Sequence, residues 1–222
     1  MNIIVELTRR FIMNNKLIIN MLVPILLVMF ILSSSSVLFA EELKAYKGLK
    51  FKQSPKEVID VFRNDSDIRG YPIAYDDIDY HITNGEGNFQ GETTLLDRKT
   101  DMLMSFYKNQ LYNVTFLSKS VTADKFDTEL TRIRKDYVSL IKNQYGDPDI
   151  SNEVNFLDVK SDYPVVSHRW VVGDKIIIIT TEEYESKYAV ILQLIYNPLW
   201  KEKHGEEAKA KEKDIEEESS NF

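Results

Sequence analysis

The sequence predicts an α+β fold, in which an antiparallel β-sheet built from meanders carries one long and one short helix on one face. Two segments place apolar residues at steps of three and four, which is typical of amphipathic helices. Several other segments alternate apolar and polar residues, which is typical of half-buried strands. Since these strands follow one another through short turns, an antiparallel sheet is favoured over a doubly wound one.

The short helix begins at a capping signal. Ser54 suits the N-cap, Pro55 suits the first helical position, and Glu57 is placed to reach back to the cap, which makes a capping box. The buried face of this helix is predicted to be formed by Val58, Ile59, Val61 and Phe62.

The long helix is predicted over residues 123–145, with Thr122 as its N-cap. Gly146 and Pro148 end it, because glycine suits the left-handed cap and proline cannot continue a helix. One apolar stripe runs along its length, formed by Phe126, Leu130, Ile133, Tyr137, Leu140 and Ile141.

Strands are predicted in two meanders. The first contains residues 102–107 and 111–117. The second contains residues 165–172, 175–181 and 187–196, joined by a tight turn at Gly173-Asp174 and a loop at 182–186. Residues 176–179 are four consecutive isoleucines, so both faces of that strand are expected to be covered. Further strand candidates are residues 71–83 and 93–96.

Each meander follows a capped helix. This order makes a diverged tandem helix-plus-meander repeat an open alternative, although no residue motif repeats along the chain.

The N-terminal segment has the composition of an export signal. Basic residues precede an apolar run at 17–32, and four serines and Ala40 follow it. We therefore predict that residues 1–40 are a signal peptide and that the protein is exported to the periplasm or the exterior of a bacterial cell. The alternative is an uncleaved anchor at residues 17–32 in the inner membrane. Cleavage is favoured because the run is shorter than the about 20 apolar residues that cross a bilayer.

The remaining chain is predicted to hold one α+β domain at residues 41–199 and a charged tail at 200–222. The tail contains too few apolar residues for a core, so it is predicted to be disordered or to form a single solvated helix. The whole chain carries 28 basic and 35 acidic side chains and no cysteine. This composition argues against a nucleic-acid partner and excludes disulfides and thiolate catalysis within the chain.

Asp77, Asp79 and His81 are the candidate metal ligands. In a strand these three side chains share one face and could hold a divalent cation, although an exposed strand face explains them equally well. The sequence shows no nucleotide-binding loop, so no cofactor is predicted.

Four tyrosines on predicted strands are candidates for a recognition surface, because an aromatic ring with a polar tip suits contact with a protein, peptide or glycan. They are Tyr107, Tyr112, Tyr188 and Tyr196. The alternative is that these side chains form the rim of the core.

His168 lies in the middle of a predicted strand. Strict alternation places it on the face of Val166 and Trp170, with Ser167 and Arg169 opposite, so Ser167 and His168 cannot act as nucleophile and base.

The helix-opening phrase at residues 48–58 and the helix-ending phrase Tyr145-Gly146-Asp147-Pro148 resemble those of small bacterial envelope proteins. These are the outer-membrane assembly factor BamE and the beta-lactamase inhibitor protein group, which share two-layer α+β units. The chain departs from the assembly factor in having no cysteine for lipidation. The resemblance implies a binding or scaffolding role and carries over no functional residue.

Two functions follow as expectations. The first is a non-catalytic envelope protein that binds or scaffolds another envelope protein, and it is favoured because no catalytic set is found. The second is a metal-dependent enzyme, or its accessory subunit, that uses the carboxylates at residues 76–79 together with His81.

Overall fold

The computed structural model describes residues 43–65, 68–70, 82–161 and 163–219. All of them belong to the second of the chain's two units, Glu42–Phe222. The strands in these residues are β1 (Lys44–Tyr46), β2 (Leu49–Lys50), β3 (Ile68–Gly70), β4 (Ile82–Thr83), β5 (Glu86–Leu95), β6 (Arg98–Tyr107), β7 (Gln110–Leu117), β8 (Val121–Thr122), β9 (Ile150–Ser151), β10 (Val165–Val172), β11 (Lys175–Tyr184) and β12 (Lys187–Tyr196). The α-helices are α1 (Pro55–Asn64), α2 (Thr131–Tyr145) and α3 (Asn197–Ser219).

Ten of the described strands form one sheet, and every pairing between them is antiparallel. Its order is β3-β5-β6-β7-β12-β11-β10-β9, with β4 paired to β5 and β8 paired to β12. The predicted α+β class is therefore confirmed. The element order also repeats, because a helix precedes a meander in each half and the last strands, β7 and β12, pair at the centre. The tandem repeat stays a hypothesis, because no residue motif repeats between the two halves.

The capping box at α1 is present as predicted. The Glu57 amide donates to the Ser54 hydroxyl oxygen at 3.4 Å, and the Ser54 amide donates to the Glu57 carboxylate at 2.7 Å. The second bond lowers the pKa of Glu57. Phe62 then packs edge-on against Phe89 of β5, with ring centroids 5.0 Å apart, which joins α1 to the sheet.

Helical structure also covers the predicted range 123–145, as a 3₁₀ turn at Ala123–Lys125, a π turn at Phe126–Leu130 and then α2. Thr122 occupies the N-cap position, but its hydroxyl donates to Asp124 instead of capping the helix. The other end agrees with the prediction, because Gly146 has a φ of 81° and its amide donates to Lys142 at 2.9 Å.

The predicted loop at residues 182–186 is wrong. β11 continues to Tyr184, and a two-residue turn at Glu185 and Ser186 connects it to β12. Both turn residues have positive φ, 49° and 62°. Such turns match the right-handed twist of the flanking strands, so the pairing continues up to the turn.

The two faces of the sheet have different environments. The core face packs against α1 and α2 and includes Ile177 and Ile179 of β11, both fully buried. The opposite face, here called the outer face, includes Ile176 and Ile178. The predicted cover of the isoleucine run is thus complete on the core face but incomplete on the outer face, because Ile178 remains partly exposed.

The tail predicted at residues 200–222 to be disordered or a single helix is helical to Ser219, as the continuation of a helix that begins at Asn197. Its first turns are not wholly solvated, because Trp200 is 37% exposed and the Lys203 side chain, paired with Glu86, is 20% exposed. Leu199, just before the tail, belongs to the hydrophobic core. None of the described helices is long and apolar enough to cross a membrane.

Candidate functional site: a groove on the outer face

The candidate metal ligands Asp77, Asp79 and His81 lie outside the described residues. Within the part of the chain that is described, no three His, Asp or Glu side chains come together as a metal site would require. The metal site therefore stays a prediction.

The four candidate tyrosines do not form an exposed surface in this fold. Tyr107, Tyr112, Tyr188 and Tyr196 are 1%, 9%, 6% and 4% exposed. Packing between distant segments explains their burial.

Aromatic neighbours cover the two tyrosines of β12. The Tyr188 ring lies 5.3 Å from that of Phe126, and the Tyr196 ring stacks on Phe51 at 5.6 Å. At the far end of the β6–β7 hairpin, the Tyr107 hydroxyl donates to Glu206 of α3. The alternative that these tyrosines belong to the core is the one the structure shows.

An open groove of about 450 Å³ lies where α3 meets the outer face of β10, β11 and β12. Its volume falls within the roughly 300–1,000 Å³ that is usual for ligand sites. Three of its apolar side chains remain more than a third exposed: Ile150 at 38%, Val166 at 37% and Trp200 at 37%. The apolar lining is formed by Ile150, Val166, Ile176, Ile178, Ile195 and Trp200.

A β-bulge in β10 decides which side chains reach this groove. Val166 pairs with Thr180, but His168 pairs with Ile179, so the register shifts at Ser167. An extra residue in one strand breaks the alternation of faces. Val166 and Arg169 therefore both line the groove, although they are three positions apart.

Because of the same bulge, the environment predicted for His168 is wrong. Its pairing with Ile179 places it on the core face with Trp170, and the two rings stack at 5.9 Å. His168 therefore does not share a face with Val166, and Ser151 Oγ, not Ser167, lies 3.2 Å from its Nε2. Burial lowers the pKa of His168, and the nearby charge of Arg134 lowers it further.

One wall of the groove is the first turn of α3. Trp200 lines the groove together with the isoleucines of the sheet, and its ring stacks on His204, one helical turn later, at 4.2 Å. The Trp200 carbonyl lies 2.8 Å from His204 Nδ1. The indole that forms this wall is thus packed against a side chain of its own helix.

Ion pairs attach α3 to the β6–β7 hairpin and to β5. Lys108 contacts Glu202 at 2.6 Å and Glu206 at 2.9 Å. Lys203 contacts Glu86 at 2.9 Å. Hydrogen bonds to Glu202 and Glu206 raise the pKa of Lys108, so it stays charged wherever these carboxylates are ionised.

Four polar residues complete the groove: Asn152, Arg169, Asn197 and Lys201. Asn152 donates to the Val166 carbonyl at 3.2 Å. The Nε of Arg169 and the Oδ1 of Asn197 are buried and have no hydrogen-bond partner in the described part of the chain. A buried donor and a buried acceptor without partners are costly unless water or a ligand satisfies them.

The groove has the composition of a binding site. Six of its ten lining residues are apolar, and none of the ten is an acid, a histidine or a hydroxyl residue. Sequence reasoning missed Arg169, Asn197 and Trp200 because the bulge and the docking of α3 bring them together. No family model, curated protein or solved structure matches this chain.

Proposed function

We propose that this protein is an exported, non-catalytic binding module of the bacterial cell envelope. It docks an extended apolar segment of another envelope protein in the groove between α3 and the outer face of the sheet. One observation carries the proposal: an open groove of about 450 Å³ is lined by six apolar residues, three of which remain more than a third exposed.

The polar residues of the lining support a peptide as the occupant. Each residue of a peptide offers one N–H and one C=O, and these complement polar side chains such as Asn197 and Arg169. A hydrocarbon chain offers neither group. Apolar side chains of the same segment would fill the space between Ile178 and Trp200.

The proposed location in the cell envelope rests on the N-terminal segment, residues 1–40. Basic residues, an apolar run and small residues before Ala40 are the features of an export signal. The resemblance to small envelope proteins also implies a binding or scaffolding role.

Site-specific photocrosslinking in cells that express the full chain tests this function. A benzoylphenylalanine at Val166, in the groove, is expected to crosslink one envelope protein through an apolar segment that peptide mass spectrometry identifies. The same probe at Leu157, which is 84% exposed and does not line the groove, is the control.

Ile178→Asp should abolish the crosslink from position 166, because it removes apolar contact area from the floor of the groove and places a charged side chain opposite Arg169. Equal crosslinking from positions 166 and 157, or a crosslink that survives Ile178→Asp, would refute the groove as the docking site. An intact mass that still includes residues 1–40 would refute cleavage of the leader.

A further inference from the structure

The cations of the groove are unusual for this chain. The protein has a formal net charge of −7, yet the charged residues that line the groove are Arg169 and Lys201. Arg169 lies on β10 and Lys201 on α3, so the two cations come from opposite walls. The local charge of the groove is therefore opposite in sign to that of the whole molecule.

Neither cation is neutralised by the described part of the chain. No described carboxylate forms an ion pair with Arg169 or Lys201. Asp149, just before β9, lies next to Arg169, since its amide donates to the Arg169 carbonyl at 2.8 Å. Its carboxylate accepts a hydrogen bond from the Val171 amide at 2.7 Å and forms no ion pair with Arg169.

Arg169 needs a partner more than Lys201 does. Lys201 is exposed, so water solvates its ammonium group. Arg169 is partly buried, and within the described residues its guanidinium forms no hydrogen bond or ion pair. A guanidinium presents a planar array of donors that fits a carboxylate through two parallel hydrogen bonds.

The apolar lining strengthens such a contact. Ile178 pairs directly with Arg169 across the strands, and Ile150 pairs with Arg169 on the other side. Apolar neighbours on both sides lower the local dielectric, and a charge pair is stronger there than in water.

The geometry points to a charge-selective groove, which binds an apolar peptide segment carrying a carboxylate, with that carboxylate held by Arg169 and assisted by Lys201. This selectivity rests on the proposed function, because it names the chemistry of the docked segment. The occupant is thus a partner-protein segment that places an acidic side chain or a C-terminal carboxylate next to apolar side chains.

Two dyes of matched shape test the selectivity. The anion 1-anilinonaphthalene-8-sulfonate and the neutral N-phenyl-1-naphthylamine share an apolar body and differ by the sulfonate. With the purified full chain, the anionic dye is expected to bind more tightly than the neutral dye. Arg169→Gln should weaken the anionic dye about tenfold or more, since hydrogen bonds to charged groups contribute about 1.5–3 kcal/mol. It should change the neutral dye less than about twofold.

Arg132→Gln is the matched control, because Arg132 is an exposed arginine on α2 that does not line the groove. It should leave both affinities unchanged. Displacement of the anionic dye by an apolar peptide that ends in a carboxylate, but not by its C-terminal amide, would extend the result to the natural occupant. If an acidic side chain added to the amidated peptide restores displacement, that side chain is the source of the carboxylate.

The possible failures are distinguishable. Equal affinity of the two dyes, or an equal loss of both with Arg169→Gln, would overturn charge selectivity while leaving the groove as a binding site. If neither dye binds, or if Ile178→Asp leaves both affinities unchanged, the groove itself and the proposed function are overturned.

Discussion

Leu199 should account for most of the free energy that attaches α3 to the domain. The side chain is 7% exposed and belongs to the core cluster. Leu199→Ala removes three carbon atoms, and at about 0.8 kcal/mol for each buried carbon the lost transfer free energy is about 2 kcal/mol. A residual cavity raises the expected loss in the free energy of unfolding to about 2–3 kcal/mol.

The ion pairs of Lys108 and Lys203 are at the surface and should matter less, because solvent and salt screen such contacts. At about 1 M salt, where the screening length is about 3 Å, we therefore expect α3 to stay docked. Urea denaturation measures the loss in stability, and hydrogen–deuterium exchange of amides 201–210 reports the docking of α3. The matched control is Leu157→Ala, since this leucine is 84% exposed and its truncation should change stability by less than about 0.5 kcal/mol.

The reasoning fails if Leu199→Ala costs less than about 1 kcal/mol while salt alone exposes these amides to exchange. That pair of results would show that charge contacts, and not apolar burial, hold the wall of the groove in place.

Three further predictions concern local features of the fold. Gly146→Ala should destabilise the protein by about 1–3 kcal/mol in urea, because its φ of 81° and ψ of −161° strain any side chain, although the space around it is open. Gly205→Ala, in the open surface of α3, should instead stabilise it by about 0.5–1 kcal/mol, and the same sign for both variants would contradict the backbone argument. Ser54→Ala should lower the free energy of unfolding by about 1 kcal/mol, because it removes the capping box, whereas Ser54→Asp should largely keep that stability. Equal urea midpoints for wild type and Ser54→Ala would show that the cap is not needed. Burial favours the neutral ring of His168 and holds its pKa below the ordinary 6.5. The unfolded chain therefore binds the proton more tightly, and the free energy of unfolding should fall as the pH drops below 6.5. Chemical denaturation at several pH values should show that His168→Gln removes this decline, and an unchanged pH profile in the variant would contradict the argument.

The sequence predicted those elements whose causes are local. The capping box of α1 depends on two residues three positions apart, and the helical range at 123–145 depends on one apolar stripe and its terminal glycine. Alternation likewise predicted β10 and β12 with their observed bounds. In each case the residues that determine the structure are neighbours in the chain, so a pattern can show them.

The groove could not be predicted in this way. Its apolar floor follows from alternation along β11, but the bulge at Ser167 decides that Arg169 joins Val166 on the outer face. Its wall depends on α3, and the contact between Lys203 and Glu86 joins residues 117 positions apart. The burial of the four tyrosines has the same origin, because Tyr196 is covered by Phe51 from the other end of the described chain.

By itself the sequence determined the α+β class, the helices and the meanders, because hydrogen bonds within a turn and the two periodicities of side chains are local properties of the backbone. The tertiary structure alone decided which face of each strand is covered, where α3 lies and which polar groups remain without partners. These outcomes depend on packing between distant segments, where burial of apolar surface outweighs the local preferences of any one of them.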